Sequence, residues 1–180
     1  MSPKCNVRHR APSESFTHLD ETNALASIND YRKLIGLDEV RNIKAPNSYP
    51  ATVAITEIKG WRAMGVSTGR ARELGKARAN SIIDSARTDE ILAEIGMKGN
   101  DFVTHAEAQS LIRAKDMFGE LPHTVRMYVD RSPCNICQGG PWTYLGTRIT
   151  ADAGLTHLRR HLGVQRLEVF DLATGKMLVL

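Results

Sequence analysis

Two short stretches hold the residues that can do chemistry together: Thr104-His105-Ala106-Glu107 and Ser132-Pro133-Cys134-Asn135-Ile136-Cys137. His105, Cys134 and Cys137 are ligand types suited to zinc. A catalytic zinc takes three protein ligands and keeps a fourth position for water, whereas a structural zinc takes four. Glu107 is left over, close to His105 but not needed as a ligand, and a carboxylate can accept and return a proton within one cycle. The spacing is workable on both sides. Cysteines three apart project from one side of a helix. Ser132 is the expected N-cap and Pro133 the expected first helical residue, where the helix N-terminus favours thiolate. His105 is expected at the mouth of the next apolar helix, after the segment from Gly96 to Asn100.

Each motif alone has a plainer meaning. Thr104-x-x-Glu107 reads as a capping box, and a single Cys-x-x-Cys is open to redox or structural-zinc use. Together, in this order and with proline before the first cysteine, they form H-x-E…P-C-x-x-C, the pattern of zinc deaminases acting on cytosine or adenine. The chain resembles the cytidine-deaminase-like superfamily. Within it, the run Tyr128-Val129-Asp130-Arg131 leading into Pro-Cys-x-x-Cys looks like the bacterial polymorphic-toxin deaminases, including single-strand DNA cytosine deaminase toxins. The likeness covers residues 51–180 as an order of elements, and only the two motifs are specific.

The resemblance implies zinc (Zn2+) held by His105, Cys134 and Cys137, water activated towards a pKa of ~7, and Glu107 moving protons during hydrolytic deamination of cytosine. It also implies that the Ala106 N–H meets the base carbonyl and the Ser132 carbonyl meets the exocyclic amine. Many relatives place an asparagine just after the second strand to hold sugar or base. Here Val66-Ser67-Thr68 stands there, leaving Ser67 or Thr68 as a weaker substitute. Toxin kinship implies an immunity protein as partner. The expected fold is a three-layer α/β/α domain with a five-stranded mixed sheet.

The elements that must position these residues follow from periodicity. Residues 1–19 carry Ser, Pro and Arg without apolar period and read as an arm. Asp20 to Ile35 is helical, with Leu25, Ile28, Tyr31, Leu34 and Ile35 recurring and Gly36 as a stop. Residues 37–50 read as a linker, so 1–50 form an N-terminal arm with an accessory helix, and 51–180 the deaminase domain. Thr52–Ile58 and Trp61–Val66 form a hairpin about Lys59-Gly60. Arg70 to Ile95 is helical, either in one piece, as is usual in the superfamily it resembles, or divided at Thr88-Asp89. A helix from His105 to Phe118 precedes Thr124–Val129, expected to be a central strand buried on both faces. Gln138-Gly139-Gly140-Pro141 stops the cysteine helix, Trp142 to Gly154 reads as an insertion, and Leu155 to Leu162 is helical. The last two strands, Arg166–Phe170 and Lys176–Leu180, are joined too tightly to be parallel. Superfamily members divide on this point, and the antiparallel group is the one expected here.

At 180 residues the chain suits one domain with a substantial core. No apolar run reaches the length of a membrane span and no secretory signal is visible, so a soluble protein acting in the cytoplasm, including a target cell's after delivery, is expected. Three cysteines do not make a disulfide framework, and Cys5 reads as an idle exposed thiol. A net charge of +4 and pI of about 9.1 are compatible with a polyanionic substrate. Basic residues gather between Lys59 and Arg87 and at Arg159-Arg160-His161, although solvated helix faces explain any one of them equally well. Trp142 and Tyr144, in a Gly/Pro-flanked segment past the cysteines, are placed to stack on bases. Trp61 is better explained by packing. Single-stranded DNA is the favoured substrate, since extruding a base from a duplex costs a few kcal/mol. RNA, duplex DNA and free nucleosides are the alternatives, and a catalytically silent zinc module is the reading from another class.

Overall fold

A computed structural model describes residues 18–45, 51–67, 85–94, 105–138, 142–144, 147–149 and 154–180. Helix α1 (Glu21–Leu34) opens at Asp20, whose carboxylate accepts from the Thr22 and Asn23 N–H groups while Asn23 returns a bond to the Asp20 N–H. It ends, as expected, at Gly36, which sits at φ +75°. Strands β1 (Val53–Ile58) and β2 (Trp61–Val66) form the expected hairpin. Both turn residues, Lys59 and Gly60, have positive φ (50° and 80°), as a tight two-residue hairpin turn requires. Helix α2 (Ser85–Glu94) runs straight through Thr88-Asp89, so of the two alternatives the undivided one holds there. The rest of the expected helix, residues 70–84 and 95, lies outside the described residues.

Helix α3 (Ala106–Phe118) leads to β3 (Thr124–Val129), then the single turn α4 (Asn135–Gln138). Trp142–Tyr144 and Thr147–Ile149 form the small hairpin β4–β5 where an insertion was expected. Helix α5 (Leu155–His161) and strands β6 (Arg166–Asp171) and β7 (Lys176–Val179) complete the fold.

The main sheet is mixed and five-stranded, in the order β2-β1-β3-β6-β7. Only β3 and β6 run parallel, and β6–β7 is antiparallel as its four-residue link demands. Strand alternation divides the apolar residues into two clusters. Ala54, Ile58, Ala63, Val125, Met127, Val129, Leu167 and Val169 pack with Leu111 and Ile112 of α3 and Leu155 and Leu158 of α5. Val53, Ile55, Val66 and Tyr128 pack with Ala24 and Ile28 of α1. β3 is central, but only its second half is buried on both faces. Thr124 and Arg126 are exposed, on the face of β3 that carries Tyr128 towards α1.

α1 turns inward most of the face its apolar period suggested, with Ile28 and Ile35 buried and Tyr31 packed against the same cluster. Ala24, Ile28, Arg32 and Ile35 are buried, whereas Leu34 is exposed. Among the described residues no helix is long and apolar enough to cross a membrane.

Candidate metal centre and its buried carboxylate

The centre forms where the C-terminal end of β3 meets the start of α3. His105 is the N-cap of α3, with extended backbone (φ −78°, ψ 151°) and no side-chain capping bond, so its imidazole is available for other work. Glu107 therefore occupies the second helical position, not the third that a capping box needs. Thr104 lies outside the described residues.

His105 Nδ1 stands 3.2 Å from Cys137 Sγ and 3.3 Å from Cys134 Sγ. One ligand atom from each of the three residues lies within 4.8 Å of the others, a spacing that can hold one metal ion. Two soft sulfurs and an imidazole suit zinc among the available ions. Cys137 is buried, His105 half-buried and Cys134 exposed, so the centre is closed below and open on the Cys134 side.

The electrostatics are those of three ligands sharing too few protons. Cys134 is pulled down to about 4, first by a hydrogen bond from Cys137 and also by His105. Cys137 is raised well above an ordinary thiol by that same bond, by burial and by the negative charge of Glu107. Glu107 is 3% exposed. Burial lifts its carboxyl to about 7, the charges of Cys134 and Asp130 add to the rise, and its backbone bond and His105 oppose it. The charges of His105 and Cys134 act on this carboxyl, and its own charge acts on Cys137, so it lies near the cluster.

The cysteine loop departs from the expected geometry. The helix begins at Asn135, two residues later than Pro133, with Gln138 N–H closing the turn on the Cys134 carbonyl at 3.0 Å. The expected N-cap, Ser132, is drawn elsewhere: its hydroxyl donates to Asp171 Oδ2 at 2.5 Å. Cys134 consequently sits just before the helix, not within it.

The other expected site residues divide. Ala106 is the first residue of α3, where helical N–H groups have no intrahelical acceptor. Ser67 follows β2 at the same end of the sheet, its hydroxyl accepting the Thr52 N–H at 3.0 Å. Trp61 pairs with Ile58 at the far end of β2 and is 36% exposed, so it is neither a site residue nor a fully buried one. Trp142 and Tyr144 lie in β4, but their side chains fall outside what the structure describes.

Much of the basic charge is already employed. Arg159 donates to the Val164 and Gln165 carbonyls at the end of α5, His161 bonds Glu94, and Arg87 bridges Glu90 and Asp116. Arg70, Arg72, Lys76 and Arg78 lie outside the described residues.

The sequence reading missed the groups that hold the site. Gly65 of β2 lies directly under α3, whose backbone comes so close that a Cβ would meet the Ala106 carbonyl at 2.1 Å. Ser110 of α3 bonds Thr56 (2.6 Å) and donates to the Ala63 carbonyl (2.9 Å), tying the helix to β1 and β2. A signal existed for one more: Arg32 stands four residues after Ile28, on the stripe α1 buries. Compared with protein-family models, curated proteins and solved structures, the chain matches none.

Proposed function

We propose that the chain is a zinc-dependent hydrolytic deaminase with the three-layer cytidine-deaminase-like fold, converting cytosine to uracil in nucleic acid, with single-stranded DNA as the preferred substrate. One observation carries the reading: among the described residues three ligands, not four, converge at a half-open centre with a buried carboxyl group near them. A silent structural zinc would need a fourth ligand. The preference for cytosine and for single strands, and a role as a bacterial toxin with an immunity partner, rest on the motif resemblance.

His105, Cys134 and Cys137 would hold the ion, which when bound supplies Lewis-acid activation of water at neutral pH. Glu107 would take one proton from the attacking water and pass it to ring N3, then take the second from the new C4 hydroxyl and pass it to the departing amine. Water adds at C4 and ammonia leaves. A carboxyl poised near 7 can both accept and donate at neutral pH. The Ala106 N–H and the Ser132 carbonyl orient the base.

The test is a labelled cytosine-containing oligonucleotide, single- or double-stranded, with uracil excision as readout and free cytidine in parallel. Uracil in the single strand, and its loss in a Glu107→Gln variant that retains zinc, is the expected result. Turnover of cytidine alone would replace the polymer substrate with a nucleoside. A zinc-loaded wild type inert on every substrate would leave only the silent module.

A further inference from the structure

We propose that Arg32, on the helix that precedes both motifs, is a positioning residue for the cysteine ligands; this rests on the metal-centre reading above. The cysteine loop leaves β3 at Asp130 and reaches Cys134 four residues later. Asp130 and Arg32 form an ion pair at 3.0 Å with both side chains completely buried. Such a pair contributes little net stability, because desolvation offsets the attraction. What it does supply is a fixed position.

Arg32 Nε donates to the Asp38 carbonyl at 2.6 Å, and one terminal nitrogen serves both the Ala51 carbonyl and Asp130 Oδ2 at 3.0 Å. Ala51 holds φ +58°, a left-handed conformation that costs a non-glycine residue free energy and persists where its surroundings enforce it. The second Asp130 oxygen accepts the Val53 N–H at 3.0 Å. The carboxylate is therefore gripped from α1 on one side and β1 on the other.

Two residues further on, Ser132 is tied to Asp171. Asp171 in turn receives the Ala173 N–H (2.9 Å) and Thr174 hydroxyl (2.6 Å) in the β6–β7 turn. Strands β3 and β6 are parallel neighbours, with Val129 opposite Asp171, so two carboxylates at adjacent strand ends fix the loop just before Cys134. Arg32 is the anchor of the first. Outer-shell groups of this kind typically tune metal affinity by 10–100-fold.

The experiment loads full-length protein with Co2+ and records the visible and thiolate charge-transfer bands and the dissociation constant. Arg32→Met is expected to alter the band positions and to weaken Co2+ binding about 10–100-fold. Arg32→Lys, which keeps the charge and can still pair with Asp130, is expected to recover part of both effects and guards against a misfolded Met variant. Ile28→Ala removes core packing from the same helix and serves as the stability control, expected to lower the unfolding midpoint while leaving spectrum and affinity unmoved. Wild-type spectrum and affinity in both Arg32 variants, or equal changes in Ile28→Ala, would overturn the proposal. A wild type that binds Co2+ without thiolate bands overturns the metal centre itself, and the positioning role with it.

Discussion

Gly65→Ala isolates a single contact between the sheet and the helix that carries His105 and Glu107. Gly65 is not among the glycines with positive φ, so alanine suits its backbone and would ordinarily stabilise a strand slightly by reducing the freedom of the unfolded chain. Space is the obstacle. The new methyl would lie 2.1 Å from the Ala106 carbonyl oxygen, 2.4 Å from Ser110 N and 2.9 Å from Ser110 Cα. All three are backbone atoms, so no rotamer change relieves the clash. Restoring van der Waals distance requires α3 and β2 to part by about 1 Å, against the Ser110 bonds to Thr56 and Ala63. Overpacking of this kind costs about 1–3 kcal/mol, and each kcal/mol is worth roughly 2–4 °C of Tm at this chain length. The displaced segment is the first turn of α3, and a 1 Å misplacement of catalytic groups can cost about 100-fold in rate. Thermal unfolding and the oligonucleotide assay should therefore both register the substitution, activity more strongly than stability. A Gly65→Ala protein as stable and active as wild type would refute the close-packing account of how Glu107 is placed.

Other consequences can be measured separately. Ser110→Ala leaves Thr56 without its 2.6 Å partner inside the core and should cost about 1–3 kcal/mol in urea denaturation; a loss under 0.5 kcal/mol would mean a compensating bond has formed. Chelation should lower the Tm of metal-loaded wild type, since an ion that binds only the folded state stabilises it by mass action. Cys137→Ser should abolish that sensitivity, and an equal chelator effect in the variant would place the ion elsewhere. Burial lifts the Asp130 carboxyl from 3.8 to about 6 in spite of the Val53 bond and Arg32. The folded state then holds an extra proton between those values. This group's contribution is fully present below pH 3.8 and is lost as pH rises through about 6. Asp130→Asn should be less stable overall but show a flatter stability–pH curve across that window, and parallel curves would contradict the assignment.

The main strands were legible because alternation and turn chemistry both act locally. Lys59-Gly60 specified a two-residue turn, and the short Leu172–Gly175 link forced β6 and β7 antiparallel. The residues that could hold a metal ion were legible because ligand chemistry restricts residue type and near spacing. The start of the cysteine helix was not, since Ser132 has two uses and the choice depended on Asp171, 39 positions away. Leu34 of α1 was placed inward wrongly for a related reason. The helix's apolar period allowed Leu34 to point inward, but the stripe that packs includes Arg32, whose burial requires Asp130, 98 positions away.

By itself the sequence determined which side chains can bind a metal and which carboxylate stands beside them, because those properties belong to residue types a few positions apart. Only the tertiary structure decided that His105 reaches both sulfurs, that Glu107 is buried enough to titrate near neutrality, and that α1 grips the cysteine loop. Distance, desolvation and buried charge pairing arise between segments, and no local pattern encodes them.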